Sequence, residues 1–333
     1  MNVHYDDLER REVRWVVNGR DESYELSMWA NLCDGECEVP EIEEEEEIVT
    51  NLMYWSDPNT WARHRERNYR TDEDGLPLDG EEVEIMVDMD VIYDIGTSPV
   101  FKNLQVNGKL SFKRSEPALL QAYSIWIRAG EVNVGTKEEP FDSTVEFKLH
   151  GNQESPSEFT FSASVPTSNK NLIVTGKLNM YGTPRTRMTR LLQSAYPNQN
   201  TLLVEPGLDY VNGDQLGLPA TNVVVYSSET VTVESYDANS GLVTLTEPLK
   251  GYHFGQTEST GEDYSGVDMR GEVLLLTSNV NVTANTDSTS MTRNYPKPFG
   301  CQIIVADFFE PLDFKYRYGE IELDNIAVYG CSQ

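Results

Sequence analysis

Apolar residues in this chain recur at every second position in short runs, and several of the runs end on glycine. The pattern is densest between Phe101 and Gly182. It reads LQVNGKLSF at Leu104–Phe112, IWIRAGEVNVG at Ile125–Gly135, VEFKLHG at Val145–Gly151 and LIVTGKLNMYG at Leu172–Gly182. In the first copy Leu104, Val106, Leu110 and Phe112 are apolar, and Gln105, Asn107 and Ser111 lie between them. A period of two is the mark of a strand with one buried face. The closing glycines, Gly108, Gly130, Gly151 and Gly176, stand 22, 21 and 25 residues apart. Glycine tolerates positive φ and close backbone approach, which suits a corner between strands.

A repeat of this length, without crossover helices, predicts an all-β solenoid whose turns stack in parallel, with Val83–Gly182 and Val273–Tyr329 in one continuous parallel β-helix. An antiparallel sandwich or meander also repeats short strands. From Phe101 onwards only Asn107-Gly108 and Asn212-Gly213 carry the Asn-Gly or Asp-Gly hairpin signature between paired runs, so stacking is favoured. The parity then places Leu104, Val106, Ile125, Ile127, Phe147, Leu149, Ile173 and Leu178 inside, and Gln105, Trp126, Arg128 and Lys148 outside.

Upstream, Val83, Ile85, Val87, Met89 and Val91 alternate with Glu82, Glu84, Met86, Asp88 and Asp90, which predicts one half-buried strand within Gly75–Asp94. Trp55 and Trp61 are expected to plug the start of the stack. Downstream, Thr201–Glu205, Val231–Leu249, Val273–Val282, Cys301–Phe309 and Gly319–Cys331 read as further strands. One stretch reads as a helix: Pro184–Ala195, with Met188, Leu191 and Leu192 at helical spacing and Pro184 at a suitable first turn. It would be a single short helix covering the stack.

Charge narrows the function. Lys plus Arg is 26 against 55 Asp plus Glu, a net charge of −29 across 333 residues. Such a field repels DNA, RNA and anionic membranes. No apolar run is long enough to span a bilayer. The polar N-terminus MNVHYDDLERRE lacks the apolar core of a secretory signal. The chain is thus either cytosolic or a piece of something longer, and the strand-like finish near Gln333 points to further coils. Residues 1–50 read as an N-terminal module or linker that contains the acidic run Glu41–Ile48.

Four cysteines favour an oxidising compartment. Cys33 with Cys37 and Cys301 with Cys331 is one of three pairings, and spacing does not choose among them. A zinc site would need converging partners, and His4, His64, His150 and His253 are scattered. Asn281-Val282-Thr283 is an N-glycosylation triplet.

No catalytic or metal motif and no cofactor signature stands out. Asp88 and Asp90 share a strand face at a spacing conceivable for an inverting glycosidase, but an acidic outer face explains them more simply. Trp126 is the candidate for stacking on a sugar ring, unless another segment covers it. Arg185, Arg187 and Arg190 form the densest basic cluster and are expected to pair with nearby acids.

In its order of pieces the chain resembles the eight-glycine (G-eight, G8) domain family, found in fibrocystin-like proteins and in hyaluronan-binding and hyaluronan-degrading surface proteins. The carriers run from Trp55 to Ala306. They are WSDPNTW, LPLDGEEVEI, FKNLQVNGKLSF, IWIRAGEVNVG, KLHG, LIVTGKLNMYG, DYVNGDQLGL, LTEPLKGYHFG and EVLLLTSNVNV. Tyr210 stands where members usually carry Trp, and Thr277-Ser278-Asn279 where they usually read Thr-Arg-Asn.

The resemblance implies a right-handed parallel β-helix over residues 51–310, with 311–333 beginning further coils. It also implies a non-catalytic structural or adhesion segment of a large extracellular, cell-surface or ciliary protein. Its partners would be other extracellular chains or a polysaccharide. The alternative it carries is part of a hyaluronan-binding or depolymerising enzyme.

Overall fold

The computed structural model describes residues 2–7, 12–16, 51–67, 69–152, 155, 169–222, 227–255, 268–285, 291–292, 295–296, 299–310 and 315–331. The chain divides into two compact units, Met1–Glu47 and Ile48–Gln333. In the first, Asn2–Asp7 and Glu12–Val16 pair as an antiparallel hairpin. Cys33, Cys37 and the acidic run of Glu41–Ile48 lie outside the described residues.

The second unit is built on two parallel sheets. One has eight strands: Glu82–Ile85, Thr97–Val106, Ala118–Ile127, Val145–Leu149, Asn171–Val174, Val280–Ala284, Gln302–Val305 and Ile326–Tyr329. The other has six: Asn51–Tyr54, Met89–Tyr93, Lys109–Phe112, Glu131–Val134, Lys177–Tyr181 and Glu320–Asp324. The chain passes between the two sheets in a repeating order. The long strands Thr97–Val106 and Ala118–Ile127 each pair through both halves, so the eight-stranded sheet holds two ladders side by side. Every ladder within Phe101–Gly182 is parallel, as the spacing predicts.

Register puts like on like. Val83, Leu104, Ile125, Leu172 and Ile303 fall in one row. Val91, Leu110, Val132, Leu178 and Ile321 fall in another. All but the terminal isoleucines are buried in one continuous core. An aromatic column adds to it: Trp55 lies 5.1 Å from Tyr93, Tyr93 4.9 Å from Phe112, and Phe112 5.2 Å from Phe147. Stacked and tilted ring pairs at these distances contribute beyond their buried area.

Glycine sets the corner where the chain leaves the eight-stranded sheet. A Cβ on Gly108 would collide with the carbonyls of Met86 and Met89, one on Gly130 with the carbonyl of Gly108, and one on Gly176 with the carbonyl of Gly130. Gly319 continues the column against the carbonyl of Val174. Close approach is the requirement here, since these four are absent from the positive-φ glycines. Gly151 is different: it has φ +118° and does not join the column.

Four readings of the sequence are corrected. Gly75–Asp94 holds two strands, with a corner at Met86–Asp88 where Val87 is 53% exposed. Ile173 faces outward in register with Trp126, and Leu172 and Val174 face the core instead. All three are apolar, so alternation could not fix the parity of that strand.

Pro184–Ala195 is not helical. Met188–Arg190 is a strand, with Thr189 and Leu191 buried two apart and Met188 52% exposed. The short α-helix is Ala62–Glu66. Finally, Val273 belongs to a separate antiparallel sheet, and parallel pairing resumes only at Val280.

That sheet has six strands in the order Met188–Arg190, Glu272–Leu275, Gln215–Leu218, Glu229–Asp237, Leu242–Leu245 and Thr201–Leu203. A bridge between Leu191 and Val204 links its two ends. It encloses its own core, which includes Leu202, Leu216, Val233, Val243 and Val273. This barrel is inserted between two consecutive parallel strands, Lys177–Tyr181 and Val280–Ala284. Its two connections meet where the Thr183 amide donates to Asn279 Oδ1 at 2.8 Å.

The expected plug is present. Trp55 and Trp61 are each 1% exposed, their rings are 4.7 Å apart, and Trp61 Nε1 donates to the Trp55 carbonyl at 2.8 Å.

Candidate functional site

Side chains opposite the core on the six-stranded sheet project outward, because successive residues of a strand alternate faces. They line a groove of about 710 Å³, walled in part by the loop Gly135–Glu139. Parallel register orders its floor into rows. Lys109, Glu131, Lys177 and Glu320 form one, alternating in sign. Ser111, Asn133, Asn179 and Glu322 form the next.

The rows are bonded internally. Asn179 Nδ2 donates to Asn133 Oδ1 at 2.9 Å, and Lys177 Nζ lies 2.9 Å from Glu320 Oε2. Tyr181 donates its hydroxyl hydrogen to Glu322. The Glu320 carboxylate raises the Lys177 ammonium above its ordinary value, and the hydrogen bond to Glu322 pushes the Tyr181 hydroxyl up to about 12. Both groups therefore hold their protons throughout the physiological range. The wall is fixed too. The Phe141 amide donates to the Tyr181 carbonyl at 2.8 Å with its ring in the core, and Arg114 holds Glu139 at 2.7 Å.

The groove thus offers amides, carboxylates and ammonium groups at one strand spacing. Their hydrogen-bonding and ion-pairing chemistry matches that of an extended polar chain. The sequence carried a signal for the groove that alternation hides: each first-row residue directly follows a corner glycine, as Gly108-Lys109, Gly130-Glu131, Gly176-Lys177 and Gly319-Glu320.

The residues singled out from the sequence do not converge on that groove. Trp126 faces outward but is only 7% exposed. It packs on Ile173, donates through Nε1 to Thr175 Oγ1 at 3.0 Å, and lies 5.1 Å beneath the Arg128 guanidinium. Little ring face is left for a sugar. Asn281 sits mid-strand between Glu146 and Ala327, with Nδ2 donating to the Ser278 carbonyl at 3.1 Å. Cys301 and Cys331 form a disulfide across one full round of strands, from Gln302–Val305 through Glu320–Asp324 to Ile326–Tyr329.

Asp88 is held by Arg63 at 2.9 Å, and that hydrogen bond keeps its carboxyl below the usual range. Arg185 pairs with Asp209 at 2.8 Å and with the buried Asp214 at 2.7 Å. Arg190 reaches Glu272 at 3.4 Å. Arg187 meets carbonyls instead, donating to Thr277 at 2.6 Å and Asn325 at 3.0 Å, which ties the barrel to the parallel strands.

His253, buried in the barrel, spends both ring nitrogens on Glu229 at 2.9 Å and the Pro219 carbonyl at 3.3 Å. His150 faces Gln121 at 3.1 Å. These contacts are structural. Among the described residues, no cluster of three His, Cys, Asp or Glu side chains is arranged to hold a metal ion.

Comparison with known proteins gives a family match over part of the chain. Residues 68–192 match the sequence model of the G8 domain. Fibrocystin of Mus musculus is 25% identical over 275 residues, covering 82% of this chain and 6% of its own length. Fibrocystin-L of Homo sapiens is 22% identical over 297 residues, 84% of this chain and 6% of its own. Fibrocystin-L of Mus musculus is 30% identical over 240 residues, 71% of this chain and 5% of its own. The chain thus spans only a small part of the curated relatives it matches. The matched region begins after the tryptophan plug, takes in the glycine column from Gly108 to Gly176 and ends just past the barrel strand Met188–Arg190. Residues 68–192 thus carry a G8 domain, within a chain whose relatives are fibrocystin and fibrocystin-like proteins.

Proposed function

We propose that this chain is a rigid, non-catalytic segment of a large extracellular or cell-surface protein, and that its parallel ladders wind as a right-handed β-helix. The observation that carries the reading is the unbroken parallel ladder from Asn51–Tyr54 to Glu320–Asp324 over a single core. Each strand is hydrogen-bonded to the round before it and stacked on the same rows of side chains. Such a body transmits load along its axis and presents a long ordered face.

Three further observations support the reading. The Cys301–Cys331 disulfide suits an oxidising compartment. The fibrocystin-like relatives are far longer than this chain, as expected if it serves as one segment of a large assembly. The groove of Lys109, Glu131, Asn133, Lys177 and Asn179 supplies a binding face for a polysaccharide or a polar protein surface. Asn281 would carry a glycan in the same compartment.

The test is the state of the parent protein on intact cells. Labelling with a membrane-impermeant amine reagent, followed by non-reducing peptide mapping, should recover the protein in the labelled fraction with Cys301 and Cys331 joined. An unlabelled protein with both thiols free would overturn the reading.

A further inference from the structure

One buried titratable group is used by nothing described so far. His64, on the short helix Ala62–Glu66, is 5% exposed, and its Nε2 is buried without a hydrogen-bond partner. Its ring stacks on Tyr69 at 4.7 Å and meets the Trp61 ring edge-on at 6.1 Å.

The surrounding segment closes one end of the parallel core. Trp61 fills the plug. Arg65 ties the segment to itself through the carbonyls of Pro58 at 2.7 Å and Gly75 at 3.1 Å. Three arginines strap it to the strand Glu82–Ile85 and the residues flanking it: Arg63 to Asp88 at 2.9 Å, Arg67 to Glu84, and Arg70 to Glu81.

We infer that the segment Pro58–Leu76 is an acid-released cap on the parallel core, and that His64 is the group whose protonation releases it. A neutral imidazole leaves one unpaired acceptor in this site. The charged form would place an N–H donor and a full charge among aromatic rings with no acceptor for Nε2. The charged groups facing the ring divide: Glu81 favours the proton, whereas Arg65 and Arg67 oppose it. Burial is the largest influence, and it holds His64 below its ordinary 6.5.

The sign follows from linkage. The open cap takes up a proton near 6.5 and the closed cap only at lower pH. Closure is therefore fully favoured above 6.5 and is lost as pH falls through the lowered value, by at most about tenfold per pH unit for one proton. The straps do not share this window. Hydrogen bonding from Arg63 lowers the Asp88 carboxyl. Burial raises that of Glu81, but the hydrogen bonds from Arg70 outweigh it. Both carboxylates stay ionised at pH 5.5.

The experiment is hydrogen exchange on the intact chain at pH 7.5 and 5.5, corrected for intrinsic rates and read on peptides covering residues 55–77. Cap opening should rise several-fold at pH 5.5 in the wild type, while peptides of Ala118–Ile127 stay protected. In His64→Phe, which keeps an aromatic ring and cannot titrate, opening should be independent of pH. An NMR titration of His64 in the wild-type chain needs no variant and should give a midpoint below 6.5. Opening that does not change with pH, a change that persists in H64F, or a midpoint at or above 6.5 would each overturn the inference.

Discussion

The main-chain carbonyl of Gly130 lies where a side chain on Gly176 would have to begin, although 46 residues separate the two in sequence. Gly130 stands over Gly108 in the same way, and the next amide completes each contact: Glu131 donates to the Gly108 carbonyl and Lys177 to the Gly130 carbonyl, both at 2.9 Å. Successive rounds of the chain touch backbone to backbone at this corner. A methyl group there has no flexible side chain to push aside.

Gly176→Ala should therefore destabilise the chain by about 3 kcal/mol or more, at the top of the range for overpacking, because the obstacle is backbone. Gly96 is the control. It is exposed, and nothing lies within 4 Å of its virtual Cβ. Gly96→Ala should be neutral, or stabilising by up to about 1 kcal/mol through the unfolded chain. Urea unfolding of the two variants against the wild type checks the pair. Equal midpoints would mean that the glycine column does not constrain the fold.

The disulfide closes one round of parallel strands, and the Cys301 amide donates to the Gly330 carbonyl at 3.0 Å beside it. The bond thus restrains a 30-residue loop that holds three ladder strands. Removing it with paired serines should lower stability by about 2–4 kcal/mol. The loss should appear first as hydrogen exchange in Glu320–Tyr329, with the core around Ile125 still protected. Uniform loss of protection across all strands would place the disulfide in the global core instead.

Because the barrel has its own core and its connections meet at Thr183 and Asn279, it should separate from the parallel part. Replacing residues 186–276 with a short Gly/Ser linker should leave a cooperatively unfolding protein whose parallel strands remain protected. Collapse of the remainder to an unfolded chain would show that Arg187 and its carbonyl partners are essential to the stack.

How much of this could be read from sequence varied with the kind of signal. Leu104, Val106, Ile125 and Ile127 alternate with polar residues, and their burial was plain. Leu172-Ile173-Val174 is apolar throughout, so its parity was invisible until register with Trp126 placed Ile173 outside. Met188, Leu191 and Leu192 fit a helical period by coincidence. In the barrel, tertiary pairing decides, and period two buries Thr189 with Leu191. The antiparallel insertion escaped notice because its strands have the same apolar alternation as the parallel ones, and direction leaves no mark on composition. The charged row of the groove was missed for another reason. Its members are more than twenty residues apart, and only the shared glycine corner reveals them as neighbours.

On the function proposed above, this segment holds and presents but does not cut. The most direct test is to incubate the full-length parent protein with high-molecular-mass hyaluronan and follow the polymer's size distribution, since the enzymatic alternative rests on hyaluronan-active members of the family. The distribution should stay unchanged from the protein-free control. Progressive shortening of the polymer would contradict it.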